Sequence, residues 1–299
     1  PDDEAYFQIG LSQFEAGDVA SYYNPAQAKT GFHVRERQEP TLYAGWHHTW
    51  SPGSHTLLLF ARLDDQLTLH DEQPNVLFLR QLGAGIAEVQ SPPAGPPFTL
   101  EARSAFTLYS AELQHIWETP RHSLVAGGRW QSGSVDTHAI LSRVLTGVIT
   151  DQQSDDALER GDLYAYATWR VGDRLQLIGG ASYSHLTFPQ NADLPPISSG
   201  EAARDLISPK AGLLFQPWER GLLRASYTKS LGGLYFDNSV RLEPTEVAGF
   251  NQALRSLIPA SVAGLVAGSE FETVAVGFDQ SLPRGTWFHL ALSFGTDDQ

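Results

Sequence analysis

Three imidazoles within nine residues, His47, His48 and His55 in HHTWSPGSH, are the first group that could do chemistry. Such spacing invites a metal. However, they fall in a run that alternates apolar and polar residues, and neighbouring side chains of a strand point to opposite faces. His47 and His48 therefore cannot share an ion without breaking the strand, and the expectation is a surface or interface role beside a turn, with no metal. The acidic pairs Asp64–Asp65, Asp155–Asp156 and Asp297–Asp298 lack the alternating oxygen spacing of a dedicated Ca²⁺ loop and read as solvated loop charge. No G-x-S-x-G, H-E-x-x-H or Walker loop occurs, and Ser, His and Asp form no recognisable arrangement. The expectation is a chain without catalysis or cofactor. A third set is more informative. Glu112, Gln114, Arg129, Arg170, Lys210 and Arg224 lie opposite apolar stripes. If those stripes face lipid, the six line a lumen, because Arg or Lys facing lipid costs roughly 2–4 kcal/mol at midplane. Two readings stay open: they pair with one another or with an inserted domain and only keep the lumen wet, or they form a selectivity lining.

Composition narrows the class. The chain has 299 residues, 41% hydrophobic and 18% charged, with mean hydropathy −0.23. That excludes a disordered chain and a helical membrane protein, since the longest apolar runs, such as 57–61, fall far short of the roughly 20 residues a spanning helix needs. A transmembrane β-barrel escapes this test, because lumen-facing polar residues dilute its apolar ones. A net charge of −14 makes nucleic acid a poor partner. There is no cysteine, hence neither disulfide nor thiol nucleophile. There is no methionine either, so the chain is expected to be a processed product or a segment, and a missing signal peptide says nothing of compartment.

The clearest positioning element is the stretch 206–233. Pro209, Ala211, Leu213 and Phe215 alternate with Ser208, Lys210, Gly212 and Gln216, and Leu223, Ala225 and Tyr227 alternate with Arg224, Ser226 and Thr228. Period two predicts strands, and Pro217 to Gly221 a tight turn. Similar runs predict strands at 5–14, 41–50, 55–63, 106–118, 123–131, 162–171, 174–187, 271–282 and 286–295. Residues 15–40, 64–97, 132–161, 188–205 and 231–270 read as long connections. Within them 76–80 suggests a strand, and 140–149 and 250–257 suggest short helices.

Two regularities bear on architecture. Very short turns, near Ser51, Thr119, Gly172, Pro217 and Pro283, alternate with long connections, which in an up-and-down barrel puts all short turns at one rim. Six of the seven tryptophans, Trp46, Trp50, Trp117, Trp169, Trp218 and Trp287, lie in or beside those turns, and only Trp130 sits at the far end of a strand. An indole is favoured at a membrane interface, so the six are candidates for an interfacial girdle.

The stretch SPKAGLLFQPWERGLLRASYTKSLGG resembles the barrel hairpin of TonB-dependent outer-membrane receptors. The likeness rests on Ser208, Pro209, Lys210, Gly212, Leu213, Gln216 and Pro217, then Leu223, Arg224, Ala225, Ser226, Tyr227 and Ser230. FETVAVGFDQ, 271–280, is similar to an E-x-x-x-x-G strand of that family. The resemblance implies an all-β, antiparallel, up-and-down transmembrane β-barrel in the bacterial outer membrane, with short periplasmic turns and long extracellular loops. Its partners would be outer-membrane lipid, a small solute of the ferric-siderophore kind, and a TonB-type energising protein acting through a plug. No plug domain or TonB box is visible before the first strand, and GTDDQ replaces an aromatic-terminated last strand. The expectation is one barrel domain over 1–299, roughly ten to twelve strands of a barrel that in the family has about 22. A plugless porin or an exporter barrel with a separate periplasmic domain is an alternative. So is a soluble secreted β-rich binding protein, against which stand small residues on the apolar faces (Ala44, Ala111, Ala126, Gly128, Ala165, Ala167, Ala181 and Ala225), since a sandwich core needs larger ones.

Overall fold

Period-two patterning builds strands of unusual length. The computed structural model describes residues 2–18, 24–76, 78–82, 85–90, 98–190, 197–232, 241–252 and 268–298. In chain order the strands are β1 (Asp3–Ala16), β2 (Phe32–Ser51), β3 (Ser54–Asp71), β4 (Phe78–Leu82), β5 (Gly85–Gln90), β6 (Phe98–Glu118), β7 (His122–Arg143) and β8 (Gly147–Val171). Then follow β9 (Leu175–Pro189), β10 (Glu201–Trp218), β11 (Gly221–Leu231), β12 (Glu246–Val247), β13 (Phe250–Asn251), β14 (Glu270–Ser281) and β15 (Trp287–Asp298). Eleven of them form one antiparallel sheet in the order β1-β2-β3-β6-β7-β8-β9-β10-β11-β14-β15. The pairs β4–β5 and β12–β13 are separate small hairpins. There is no α-helix among the described residues.

Several connections expected from hydropathy are strands instead. Residues 132–161 hold no long connection and 140–149 no helix: β7 runs to Arg143, β8 starts at Gly147, and a tight turn with Gly147 at φ 85° joins them. Alternation persists there in burial rather than in hydropathy: Ser154, Asp156, Leu158 and Arg160 are all buried, a mixture that hides the period. Likewise β2 begins at Phe32, β3 reaches Asp71 and β10 begins at Glu201. The strand expected at 76–80 is β4, from Phe78, in its own hairpin with β5. The helix expected at 250–257 begins as strand β13, and 253–257 lie outside the described residues. Short turns therefore gather at one rim as expected, but the opposite rim also holds the tight β7–β8 turn.

The two faces of the sheet are inverted relative to a water-soluble protein. The inner, buried face carries Glu112, Arg129, Arg160, Asp162 and Lys210. The outer face exposes Leu113, Leu163, Ile207, Leu213, Phe215, Val274 and Val276. An apolar cluster does sit on the inner face, with Leu63, Phe106, Leu108, Val135, Leu158 and Leu186, displaced toward the β7–β8 turn.

Two glycines let tyrosines lie flat across that inner face. Tyr164 pairs with Gly127 and Tyr166 with Gly180 in register. A Cβ on Gly180 would stand 2.8 Å from the Tyr166 ring and 2.9 Å from the Ala165 carbonyl oxygen, whereas one on Gly161 would meet nothing within 4 Å. Overpacking of this kind costs about 1–3 kcal/mol. Gly180→Val is expected to lower unfolding stability of the full-length protein in detergent by that amount, and Gly161→Ala to change it by under about 0.5 kcal/mol. Urea titration followed by tryptophan fluorescence checks both.

Candidate functional site

Register brings the predicted polar residues together. Glu112 of β6 stands opposite Arg129 of β7, Arg129 opposite Asp162 of β8, and Asp162 opposite Ser184 of β9. This is one row across four strands on the inner face. Arg129 donates to the Asp162 carboxylate through Nε at 3.0 Å and Nη2 at 2.7 Å, and Arg160 donates to the same carboxylate through Nε at 2.9 Å. Both side chains of the Arg129–Asp162 pair are almost fully buried, at 1% and 3% exposure. One step toward the short turns, the Tyr164 hydroxyl donates to Glu112 at 2.8 Å and accepts from Gln114 at 3.1 Å. Gly127, having no Cβ, leaves the space through which Tyr164 crosses β7 to reach β6.

Lys210 is buried on the same face, with its Nζ on the Lys229 carbonyl. Among the described residues, the neighbouring Ser208 and Thr228 hydroxyls are buried without a hydrogen-bond partner. Arg224 is half-buried and donates to Asp279 at 2.8 Å. Arg170 departs from the expected lining. It shares the parity of Asp162, but β8 ends at Val171, so Arg170 is exposed at the rim and donates to the Thr119 and Pro120 carbonyls of the adjacent turn at 3.4 and 3.2 Å.

A second layer covers this wall. Residues 241–252, from the connection between β11 and β14, lie on it and contact Glu112, Gln114, Tyr166, Arg224 and Ser230. Hydropathy does not single these residues out, because their partners lie up to 131 positions away. Asp162, Tyr164, Tyr166 and Arg160 are not singled out by the sequence reading. The first three alternate with the apolar stripe of the strand expected at 162–171, and Arg160 falls in the connection expected at 132–161.

The other candidates separate as their strands dictate. His47 lies on the inner face, with Nδ1 3.2 Å from Glu4 and Nε2 3.0 Å from His55. His48 lies on the outer face, 2.8 Å from Asp3 and between the Trp46 and Trp50 rings. Among the described residues no three His, Cys, Asp or Glu side chains are grouped to hold a metal. All three acidic pairs are in strands rather than in loops, 64–65 in β3, 155–156 in β8 and 297–298 in β15. Asp64 binds Arg62 and Asp65 is buried in β3, because β3 extends to Asp71. Asp156, in β8 beyond the apolar stripe, accepts from Ser199 Oγ at 2.8 Å and Gly200 N–H at 3.1 Å, fixing the start of β10 to it. Desolvation pushes the Asp156 carboxyl up, but its bonds from Ser154, Ser199 and Gly200 outweigh this and hold it below the ordinary carboxylate range. The side chains of Asp297 and Asp298 lie outside the described residues.

The sequence matches the family model "TonB dependent receptor-like, beta-barrel" over residues 2–256. The chain belongs to that family. Its fold is similar to three solved receptors, and at these identities the likeness speaks for the fold alone. The ferric citrate transporter FecA is 12% identical, with TM-score 0.64, covering 98% of this chain and 40% of its own. The ferric yersiniabactin uptake receptor FyuA from Yersinia pestis is 12% identical, with TM-score 0.60, covering 89% and 36%. The ferric-catecholate import receptor Fiu from E. coli K12 is 10% identical, with TM-score 0.54, covering 98% and 48%. This chain thus spans less than half the length of each. No curated protein sequence matches it. The eleven-stranded sheet is a barrel-type fold of this receptor class, as the hairpin resemblance implied.

In this TonB-dependent receptor-like sheet the tryptophans are not all equivalent. Trp46, Trp50, Trp117 and Trp169 are exposed beside the short turns, and a bulge between Phe215 and Trp218 turns Trp218 onto the outer face against Phe278. Trp287 does not join them. It pairs with Ser281, two residues from the Asp279–His289 pair, which puts it on the inner-face parity of the edge strand.

Removing one member of a buried ion pair strands the other, at a cost of roughly 3–5 kcal/mol. Asp162→Ala takes the shared carboxylate from both Arg129 and Arg160 and is expected to fall in that range. Asp205→Ala, which removes an exposed outer-face carboxylate held by Tyr183 and His185, is expected to cost far less, because solvent screens such contacts. Denaturant unfolding of the full-length variants in detergent measures the difference.

Proposed function

We propose that the chain forms part of an outer-membrane receptor barrel that takes up a small solute of the ferric-chelate kind. The carrying observation is the inverted polarity of the sheet. On the outer face, Leu163, Ala165, Ala167, Trp169 and Val171 of β8 make one apolar stripe, and Ile207, Pro209, Ala211, Leu213 and Phe215 of β10 make another. Each stripe matches the about 9–11 residues with which a tilted strand crosses a bilayer core. Each gives way, on the same face, to charge: Glu159 and Asp155 in β8, Asp205 and Glu201 in β10. At the other end each stops at a short turn flanked by tryptophan. A soluble sandwich would bury these stripes, and here they are the exposed side.

In this reading the short turns are periplasmic, and the strands continue past the lipid into the outer medium. At about 3.3 Å per residue, β8 with its 25 residues is about 80 Å long, several times the length that the membrane core requires. The inner polar wall lines the solute path. The solute class follows from the family and from neighbours whose names carry ferric complexes, and the energy source would be a TonB-type protein acting through a plug domain.

Depth makes the reading testable. Ala211 is central in its stripe, and Ala203 lies past Asp205 on the same face. Ala211→Arg is expected to reduce outer-membrane assembly and cost roughly 2–4 kcal/mol, while Ala203→Arg costs under about 1 kcal/mol. Folding of the full-length protein into vesicles measures both, and equal costs would remove the membrane reading. A deletion strain is expected to lose growth on at least one ferric chelate as sole iron source. Growth unchanged across a chelate panel would remove the solute class while leaving the barrel.

A further inference from the structure

We propose that residues 241–252 form an internal stopper, a hairpin of the chain's own β11–β14 connection that docks in a built seat on the pore wall and narrows the path. The inference rests on the reading that the inner face lines a pore. The hairpin itself is locally encoded. Glu246–Val247 pairs with Phe250–Asn251, and Ala248 and Gly249 between them have φ of 52° and 77°. Two positive φ values in a two-residue loop are the signature of a type I′ turn, the tightest connection for antiparallel strands. The tip is not a solvated loop end: Val247 and Ala248 are buried, at 1% and 4% exposure.

The wall is shaped to receive it. A Cβ on Gly212 would stand 2.7 Å from Val247 and 3.2 Å from the Ala248 Cβ, and one on Gly277 would stand 3.0 Å from the Phe250 ring. Two glycines on neighbouring stretches of wall thus make the depression in which the tip sits. Around it the contacts are specific. The Glu112 carboxylate accepts from two successive backbone N–H groups, Leu242 at 2.8 Å and Glu243 at 2.9 Å. Gln114 donates to the Leu242 carbonyl at 2.6 Å, and Tyr166 donates to the Glu243 carboxylate at 2.6 Å. At the far end Arg224 donates to the Gly249 carbonyl at 3.1 Å and lies over the Phe250 ring, 4.8 Å from its centre.

The seat has the length of a barrier. The connection leaves the sheet at Leu231 and its tip reaches Arg224, seven residues back toward the short turns. At about 3.3 Å per residue that return covers about 23 Å. The hairpin therefore descends through most of the depth of the outer apolar stripe, inside the wall rather than above it. Any domain inserted into the pore must displace it or share the wall with it.

The absence of cysteine from these residues makes a clean test. In the full-length protein in the outer membrane, Ala248→Cys is expected to react slowly with a water-soluble maleimide, because the tip is buried in its seat. Adding Gly212→Leu, whose side chain displaces the tip, is expected to speed that reaction several-fold. A barrel with heat-dependent gel mobility in which Ala248→Cys reacts as fast as an exposed cysteine, or in which Gly212→Leu leaves its rate unchanged, would overturn the stopper and leave the membrane reading standing. A protein without heat-dependent mobility would overturn the membrane reading, and the stopper with it.

Discussion

A backbone N–H or C=O left unpaired where water cannot reach it costs several kcal/mol, and the rest of this structure answers to that cost. A sheet meets the constraint only by unbroken pairing between neighbours. The ladder from β6 to β8 runs without loss of pairing from Phe98 to Glu118 and onward to Trp169, with one register shift near the β7–β8 turn. Side-chain choices are subordinate to it. Under the membrane reading proposed above, small residues on the outer face cost little in lipid, so Ala165, Ala167 and Ala211 are tolerated where a dry core would leave cavities. The same constraint leaves β1 and β15 with a free edge each among the described residues, and both edges carry exposed apolar side chains such as Phe7, Leu11, Leu290 and Phe294. Under the membrane reading proposed above, such edges need pairing partners in lipid.

Inverting the faces creates a second problem, because charge must then be held on the buried side. The solution here is saturation of a single carboxylate. Asp162 takes two guanidinium groups, from the strand beside it and from two positions away on its own strand, while Glu112 takes a tyrosine hydroxyl and two backbone amides. Buried charges cost too much to leave single. The remainder is less complete: among the described residues Ser208, Thr228 and Ser269 bury hydroxyls without a partner. Ser208 lies in the register row of Tyr164 and Gln114, and Thr228 in that of Tyr166, so satisfied and unsatisfied groups stand side by side in the wall that the docked hairpin covers.

How much of this was legible in the chain depends on where hydropathy and burial agree. In 206–228 they agree, so the β10–β11 hairpin, its turn and its two faces were readable residue by residue. In β8 they part company beyond Leu163. There the outer face turns to Glu159 and Asp155 while the inner face holds Asp156, Leu158, Arg160 and Asp162, so neither face is apolar and no period of two survives in hydropathy. Strands that outrun the membrane look like loops for that physical reason. Glu112, Gln114, Arg129 and Lys210 could be assigned to the buried inner face because each stands opposite a readable apolar stripe. Arg170 was misplaced because parity tells the face and not the height. Trp218 and Trp287 show the complementary limit: a bulge puts one on the outer face, edge-strand register puts the other on the inner, and neither shift is written in residue type.

The hairpin at 246–251 carries the last step. Its own turn is local and its seat is distant, so neither half makes sense without the other. Gly212 and Gly277, which in isolation weaken strands β10 and β14 by removing a packing side chain, are the positions where a larger residue would push the tip away. Gly212 is also part of the sequence series that resembles receptor barrels, whereas the tip it accommodates comes from the long connection that follows the next strand, β11. A wall whose Glu112 carboxylate is engaged by the chain's own backbone amides is in a different state from an open one. Under the uptake proposed above, a solute that used Glu112 or Tyr166 must first exchange those bonds to Leu242 and Glu243. Ligand affinity measured on such a barrel then includes the free energy of undocking, and weakening the hairpin's hold raises apparent affinity without touching any solute contact.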